Sequence, residues 1–216
     1  MSVQVKICGL TDRAAAEAAL RARAEFVGLV FFAASPRYLR PDQAKALGQI
    51  VTKRARVVGV FVNPSDDDVG RALDAAPLDI LQLHGRETPA RAQEIVAQFG
   101  KPVIKAIPVA EAADLSRARI YEDVADYLMF DAKAPVDATR PGGHGAAFDW
   151  KILSGLSLKR PWFLAGGLNP DNVARAIQVS GASMVDTSSG VEDGVGVKNP
   201  DKIRSEEHTS ELQSRL

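Results

Sequence analysis

Eight short apolar runs recur along the chain, separated by charged, alanine-rich stretches. They are VQVKI (3–7), FVGLVF (26–31), RVVGVFV (56–62), DILQLH (79–84), PVIKAI (102–107), DYLMFD (126–131), PWFLAG (161–166) and SMVDTS (183–188). Each is nearly continuous in apolar character rather than alternating, as in strands covered on both faces of a parallel sheet. The stretches between them carry helical period and helix punctuation. Thr11 stands where an N-cap would open TDRAAAEAALRARA. Thr88, Pro89 and Gly100 bracket TPARAQEIVAQFG, and Asn169, Pro170 and Gly181 repeat the device around NPDNVARAIQVSG. Strand starts lie 22 to 35 residues apart, the rhythm of successive βα units. Eight such units in one chain of this length predict an α/β fold, a single (β/α)8 (TIM) barrel of parallel strands. Proline and glycine are dispersed at turns with no linker between them, so one barrel domain is expected over residues 1–204.

The totals narrow the function classes. The 216 residues are 46% hydrophobic and 25% charged, enough apolar mass for one large core. Lys+Arg and Asp+Glu both number 27, so no net charge draws the chain to nucleic acid or a membrane surface. An anionic ligand would have to be held by local geometry. A single cysteine excludes an internal disulfide and a cysteine-rich metal site, and suits a reducing cytoplasm. The opening MSVQVKIC enters a strand pattern without a signal-peptide core, and the apolar run FVGLVFFAA is too short to cross a bilayer. A cytoplasmic protein with a small-molecule substrate is expected, as monomer or homodimer. Three scattered histidines and one cysteine form no metal-ligand cluster, and no cofactor motif is present.

In a (β/α)8 barrel the reaction face lies at the carboxyl ends of the strands. That places Cys8 at the end of strand one, Arg37 after strand two, His84 after strand four and Asp131 after strand six on one rim. Glycine clusters join them: PGGHG (141–145, with Gly143 and Gly145), AGGLNP (165–170, with Gly166 and Gly167) and SSGVEDG (188–194, with Ser189 and Gly190). Freed backbone N–H groups beside a helix N-terminus form a phosphate site needing no net positive charge. The alternative is that the glycines serve tight turns. Isomerising a sugar phosphate requires one group to deliver a proton and another to remove one from carbon. Cys8 in an electropositive, part-exposed pocket could supply a thiolate base, or be a small buried hydrophobe. Asp131, ending an apolar strand, could stay protonated as a general acid, or cap a turn or pair with Lys133. Lys6 shares the face of Cys8 and could assist the thiolate, contact substrate or sit in a buried ion pair. Gln82 and His84 line the pocket or anchor a loop, and Asp186 orients substrate or a neighbouring loop.

Seven stretches in order, KICGL (6–10), SPRYL (35–39), LQLHGRE (81–87), FDAK (130–133), GGHGAAFDW (142–150), AGGLNPDNV (165–173) and DTSSGVE (186–192), resemble the successive signatures of the phosphoribosylanthranilate isomerase family. The resemblance runs from about residue 3 to about 204. It implies an Amadori rearrangement in tryptophan biosynthesis, without metal or organic cofactor. Cys8 then matches the general base, Asp131 the general acid, Arg37 the holder of the anthranilate carboxylate, and the loops around Gly166, Gly167, Ser189 and Gly190 the phosphate site. A histidine-pathway aminoaldose isomerase, which has an aspartate where Cys8 stands, and a non-catalytic sugar-phosphate-binding barrel are the other readings. The apolar period fails after Ile203, where Glu206, Glu207, Ser210 and Gln213 fall on the stripe a final helix would bury. A degraded final helix and a non-native tail over 205–216 are expected.

Overall fold

The structure, a computed structural model, describes residues 3–134, 142, 145 and 147–205. Eight parallel strands close into a barrel in sequence order: β1 (Gln4–Cys8), β2 (Phe26–Val30), β3 (Arg56–Phe61), β4 (Ile80–Leu83), β5 (Val103–Val109), β6 (Tyr127–Ala132), β7 (Trp162–Leu164) and β8 (Met184–Thr187). The expected fold class is the observed one. The helices α1 (Arg13–Arg21), α2 (Pro41–Val51), α3 (Asp66–Ala75), α4 (Pro89–Phe99), the short α5 (Ser116–Arg119) and α6 (Val173–Ser180) run between strands. A 3-10 turn, Trp150–Leu153, precedes β7.

The strands are buried on both faces, and the two faces have separate cores. Val5, Ile7, Val27, Leu29, Leu81 and Leu83 face the helices within one continuous cluster. The alternate positions, among them Phe26, Val58, Ile80, Ile104, Met129 and Phe163, fill the barrel interior. Because side chains alternate along a strand, the interior set continues upward into Cys8 of β1, His84 just past β4, Asp131 of β6 and Asp186 of β8. The period of two therefore delivers the chemistry to one mouth.

Helix punctuation agrees with expectation at α4, where the Thr88 side chain accepts from Arg91 N and Gly100 ends the helix at φ 62°. Gly181 ends α6 at φ 75°. Two starts differ. The cap of α1 is Asp12, whose carboxylate accepts from Ala15 N at 2.8 Å, because the Thr11 hydroxyl donates instead to Gly196 O at 2.9 Å. Helix α6 begins at Val173 rather than at Pro170, since Asn169 and Asn172 exchange side-chain-to-backbone bonds that turn the chain first. After β8 comes an antiparallel pair absent from the sequence reading, β9 (Glu192–Gly194) and β10 (Val197–Lys198). Residues 200–205 are helical, Asn199 caps them through Asp201 N and Lys202 N, and Ile203 is buried. The tail expected to be non-native lies, from residue 206, outside the described residues. No helix among the described residues is long and apolar enough to cross a membrane.

Candidate active site

A cleft of about 870 Å³, its open mouth included, lies at the carboxyl ends of the strands. Cys8, Arg37, His84, Asp131 and Asp186 all reach it, as do Gly145, Gly166, Gly167 and Ser189. Lys6, Gln82 and Gly190 do not line it, and Gly143 lies outside the described residues. The β2–β3 side of the cleft is apolar, with Val30, Phe32, Val60 and Val62, and Leu168 lines it from the loop after β7. Among the described residues no three His, Cys, Asp or Glu side chains group as metal ligands.

Cys8 is 8% exposed at the top of β1, in register with Gly28 of β2. A Cβ on Gly28 would stand 2.8 Å from the Cys8 sulfur, so the glycine is what leaves the thiol its place. Burial pushes the Cys8 thiol above its ordinary value, the ammonium groups of Lys6 and Lys198 pull it down, and the Asp186 carboxylate adds to the rise. The electropositive neighbours expected for Cys8 are present, but the part-exposed position is not, and burial dominates.

One layer below, Lys6 is fully buried and its Nζ lies 2.6 Å from Asp186 Oδ1. The strand register makes these two direct neighbours across β1 and β8. Burial alone would lower the Lys6 pKa, but Asp186 and then Cys8 hold the ammonium above its usual value. Burial pushes the Asp186 carboxyl up against the pull of Lys6. Lys6 forms the buried ion pair and its charge also favours the Cys8 thiolate, while its ammonium does not line the cleft.

Across the mouth, Asp131 Oδ2 lies 3.0 Å from His84 Nε2, and Asp131 Oδ1 accepts from Ala132 N at 2.9 Å. The partner of Asp131 is thus His84 rather than Lys133. His84 Nδ1 in turn meets Gln82 Nε2 at 2.8 Å. The loop carrying His84 is pinned from behind by a buried pair. Lys105 Nζ donates to Leu83 O, Gly85 O and Glu87 Oε2, and Glu87 accepts from Asn63 N and Gly85 N.

Arg37 is held by Glu192, which accepts Nε–H at 2.7 Å and an Nη2 N–H at 2.8 Å. A guanidinium has five N–H donors. Glu192 takes the side edge, so the end-on fork of Nη1 and Nη2 remains for a second carboxylate. Lys198, fully buried at its side chain, donates to the same Glu192 at 2.7 Å and to Ser188 O at 2.9 Å. Burial raises the Glu192 carboxyl, but the Arg37 and Lys198 bonds outweigh it and bring it to about 2. Burial lowers the Lys198 pKa, with Glu192 opposing. Neither Glu192 nor Lys198 was singled out from sequence. Their signals were a glutamate two residues after Gly190 and a lysine inside GVGVKNP.

The glycine loops meet at the remaining side. Gly166 and Gly167 both take positive φ, 87° and 66°, and both line the cleft after β7. Gly190 packs its α-carbon against Leu168 O, locking the loop after β8 to the loop after β7.

A barrel with an apolar wall, an arginine fork, glycine loops and a thiol facing a carboxylate has the build of a phosphosugar isomerase. The family model for N-(5'phosphoribosyl)anthranilate (PRA) isomerase matches residues 5–208, and the chain belongs to that family. It is 52% identical over 205 residues to the N-(5'-phosphoribosyl)anthranilate isomerase of Paracoccus denitrificans, covering 95% of each chain. The crystal structure of phosphoribosyl anthranilate isomerase from Thermotoga maritima superposes with a TM-score of 0.86 at 34% identity, covering 96% of this chain and 98% of that one. A structure of such an isomerase in complex with reduced 1-(o-carboxyphenylamino)-1-deoxyribulose 5-phosphate gives a TM-score of 0.81 at 32% identity, with the same coverage.

Proposed function

We propose that this chain performs its family's reaction, the isomerisation of N-(5'-phosphoribosyl)anthranilate in tryptophan biosynthesis, with Asp131 as acid and Cys8 as base. Asp131 protonates the furanose ring oxygen and the ring opens to an iminium. Cys8 then removes the proton from the sugar's second carbon, and the enolamine collapses to the ketone. Two protons leave the second carbon and its hydroxyl, and two arrive at the ring oxygen and the first carbon, so the rearrangement needs no outside reagent. The Arg37 fork takes the anthranilate carboxylate, the apolar wall takes its ring, and the loops of Gly145, Gly166, Gly167, Ser189 and Gly190 take the phosphate.

The observation that carries this reading is the charge balance around the two reacting groups. With these three ion pairs formed, Lys6, Arg37 and Lys198 contribute three positive charges and Asp186 and Glu192 two negative ones. One negative charge is left to balance, and Cys8 and Asp131 are there to share it. A site holding one proton between them gives either thiol with carboxylate or thiolate with acid. Burial of Cys8 favours the thiol in the free protein. The productive form is the other one, Cys8 thiolate with Asp131 acid. Asp131 spends the shared proton on the ring oxygen. The iminium that forms, a cation about 4 Å from the sulfur, favours the thiolate by about 4 kcal/mol at an effective dielectric of about 20 until the sulfur takes the proton from carbon. The absence of net charge, the single reduced cysteine and the biosynthetic substrate support a cytoplasmic location.

Following the loss of fluorescence of phosphoribosylanthranilate tests the assignment. Cys8→Ser and Asp131→Asn should each lower turnover by about a thousandfold, with affinity for the reduced product analogue within about tenfold of the parent. Turnover retained within tenfold in either variant overturns the role given to that residue.

A further inference from the structure

Gln82 is the buried polar group that the mechanism does not use. It sits inside the barrel on β4, 1% exposed, below His84. Its Nε2 meets His84 Nδ1 at 2.8 Å and lies 3.4 Å from Met129 Sδ, while its Oε1 is buried without a hydrogen-bond partner among the described residues. An unpaired buried carbonyl oxygen is costly, and a half-turn of the amide would bring that oxygen onto His84.

The two orientations do different things to the proton on Asp131. With Nε2 inward, Gln82 can only donate, so His84 Nδ1 must be the acceptor and the ring hydrogen sits on Nε2. His84 then donates to Asp131 Oδ2, 3.0 Å away, and meets a carboxylate that has already lost its proton. With Oε1 inward, Gln82 can only accept, so Nδ1 must carry a hydrogen. The His84–Asp131 pair then holds one proton more, taken up from solvent at the open cleft and shared along the bond between Nε2 and Oδ2. Only that second state has a proton to give to the substrate. We propose that the Gln82 amide is a two-position latch that sets the tautomer of His84 and thereby whether Asp131 holds its catalytic proton.

Gln82 and His84 act here as positioning residues. The latch rests on the reading of Asp131 as the acid. The other charged or titratable groups around these two residues are Asp186, with Lys6 beneath it, Cys8 across the cleft, and the Lys105–Glu87 pair, which holds the backbone on either side of His84. None of them touches Nδ1 of His84. The buried Met129 sulfur, a weak acceptor, closes the site beside Gln82 Nε2. Both amide orientations leave one end of the amide without a strong partner, which is the condition for a latch that does not lock.

The test reads the ring nitrogens of His84 directly. The chain has three histidines, so a His84→Gln variant assigns the His84 signals in a 15N spectrum of the whole protein. In the free protein above neutral pH, Nδ1 should be unprotonated and Nε2 protonated. A protonated Nδ1 there overturns the latch. Gln82→Glu presents an acceptor in either orientation, so Nδ1 should become protonated and the basic limb of the kcat/KM profile should move up by about one pH unit. Gln82→Met cannot donate and accepts only weakly, and should lower kcat without that shift. If both variants lower activity alike and leave the limb unmoved, Gln82 only packs the barrel and the latch fails. Should Gln82→Glu not fold, the wild-type spectrum decides. Activity surviving in Asp131→Asn would instead remove the acid assignment, an outcome the 15N readout does not depend on.

Discussion

Glu192→Gln is the substitution that separates holding a cation from orienting it. Glu192 is 4% exposed at its side chain and binds both Arg37 and Lys198. Its pKa is lowered from 4.5 to about 2. At 1.36 kcal/mol per unit that shift is worth about 3 kcal/mol of folding stability. A carboxylate depressed in the folded state contributes this stability above its unfolded pKa and loses it as pH falls through its folded one. The contribution of Glu192 is therefore complete above about pH 5 and gone below about pH 2. The glutamine keeps the shape but leaves two buried cations with a neutral partner, so a loss of about 3–5 kcal/mol at neutral pH is expected. Since a domain's total stability is about 5–15 kcal/mol, the variant should fold but melt earlier. Urea unfolding from pH 2 to pH 7 should also show the variant's stability rising with pH less steeply than the parent's between pH 2 and 5. In the active site the Arg37 fork loses its side-edge anchor while keeping its charge, so KM should rise about tenfold or more with kcat nearly unchanged. An unchanged KM alongside the stability loss would show that Arg37 needs no orientation by Glu192. An unchanged pH slope would show that Glu192 is not the depressed group.

Two further substitutions probe the pieces around Cys8. Lys6→Met should cost about 3–5 kcal/mol by stranding the buried Asp186 carboxylate, with turnover falling too because a positive charge beneath the thiol is lost; a thermal melt within a degree of the parent would count against the ion pair. Gly28→Ala inserts a methyl group 2.8 Å from the Cys8 sulfur, so it should displace the thiol at about 1–3 kcal/mol of strain and reduce kcat more than it reduces stability, a balance measured by pairing the fluorescence assay with urea unfolding.

The eight strands, their closure and the rim position of Cys8, His84 and Asp131 were legible in the sequence because they follow from local period and from the order of βα units. What was not legible was depth and long-range pairing. Lys6 is two residues from Cys8, so its face could be read. Its place below the cleft depends on the register with Asp186, 180 residues away. Thr11 and Asp12 are both competent caps, and the choice between them was made by Gly196, whose carbonyl claims the Thr11 hydroxyl. No helical period marks the glycine-rich stretch after β6, and the described residues there show only a 3-10 turn before β7. Glu192 and Lys198 escaped notice because a hairpin of five strand residues, β9 and β10, brings them behind Arg37.

Depth also explains why the state of Cys8 was harder to read than the position of Asp131. From the sequence, Cys8 has lysine as its near neighbour, which argues for a thiolate. In the fold the same residue is 8% exposed, and burial outweighs both lysines. The cost of desolvating a charge grows steeply as water is excluded, so a shift of one layer in a barrel changes which protonation state is stable. A thiol kept neutral in the empty cleft is protected, since a permanent thiolate would be open to oxidation and alkylation. On the proposed roles the thiolate belongs to the form in which Asp131 carries the shared proton, so burial keeps the sulfur unreactive in the other form.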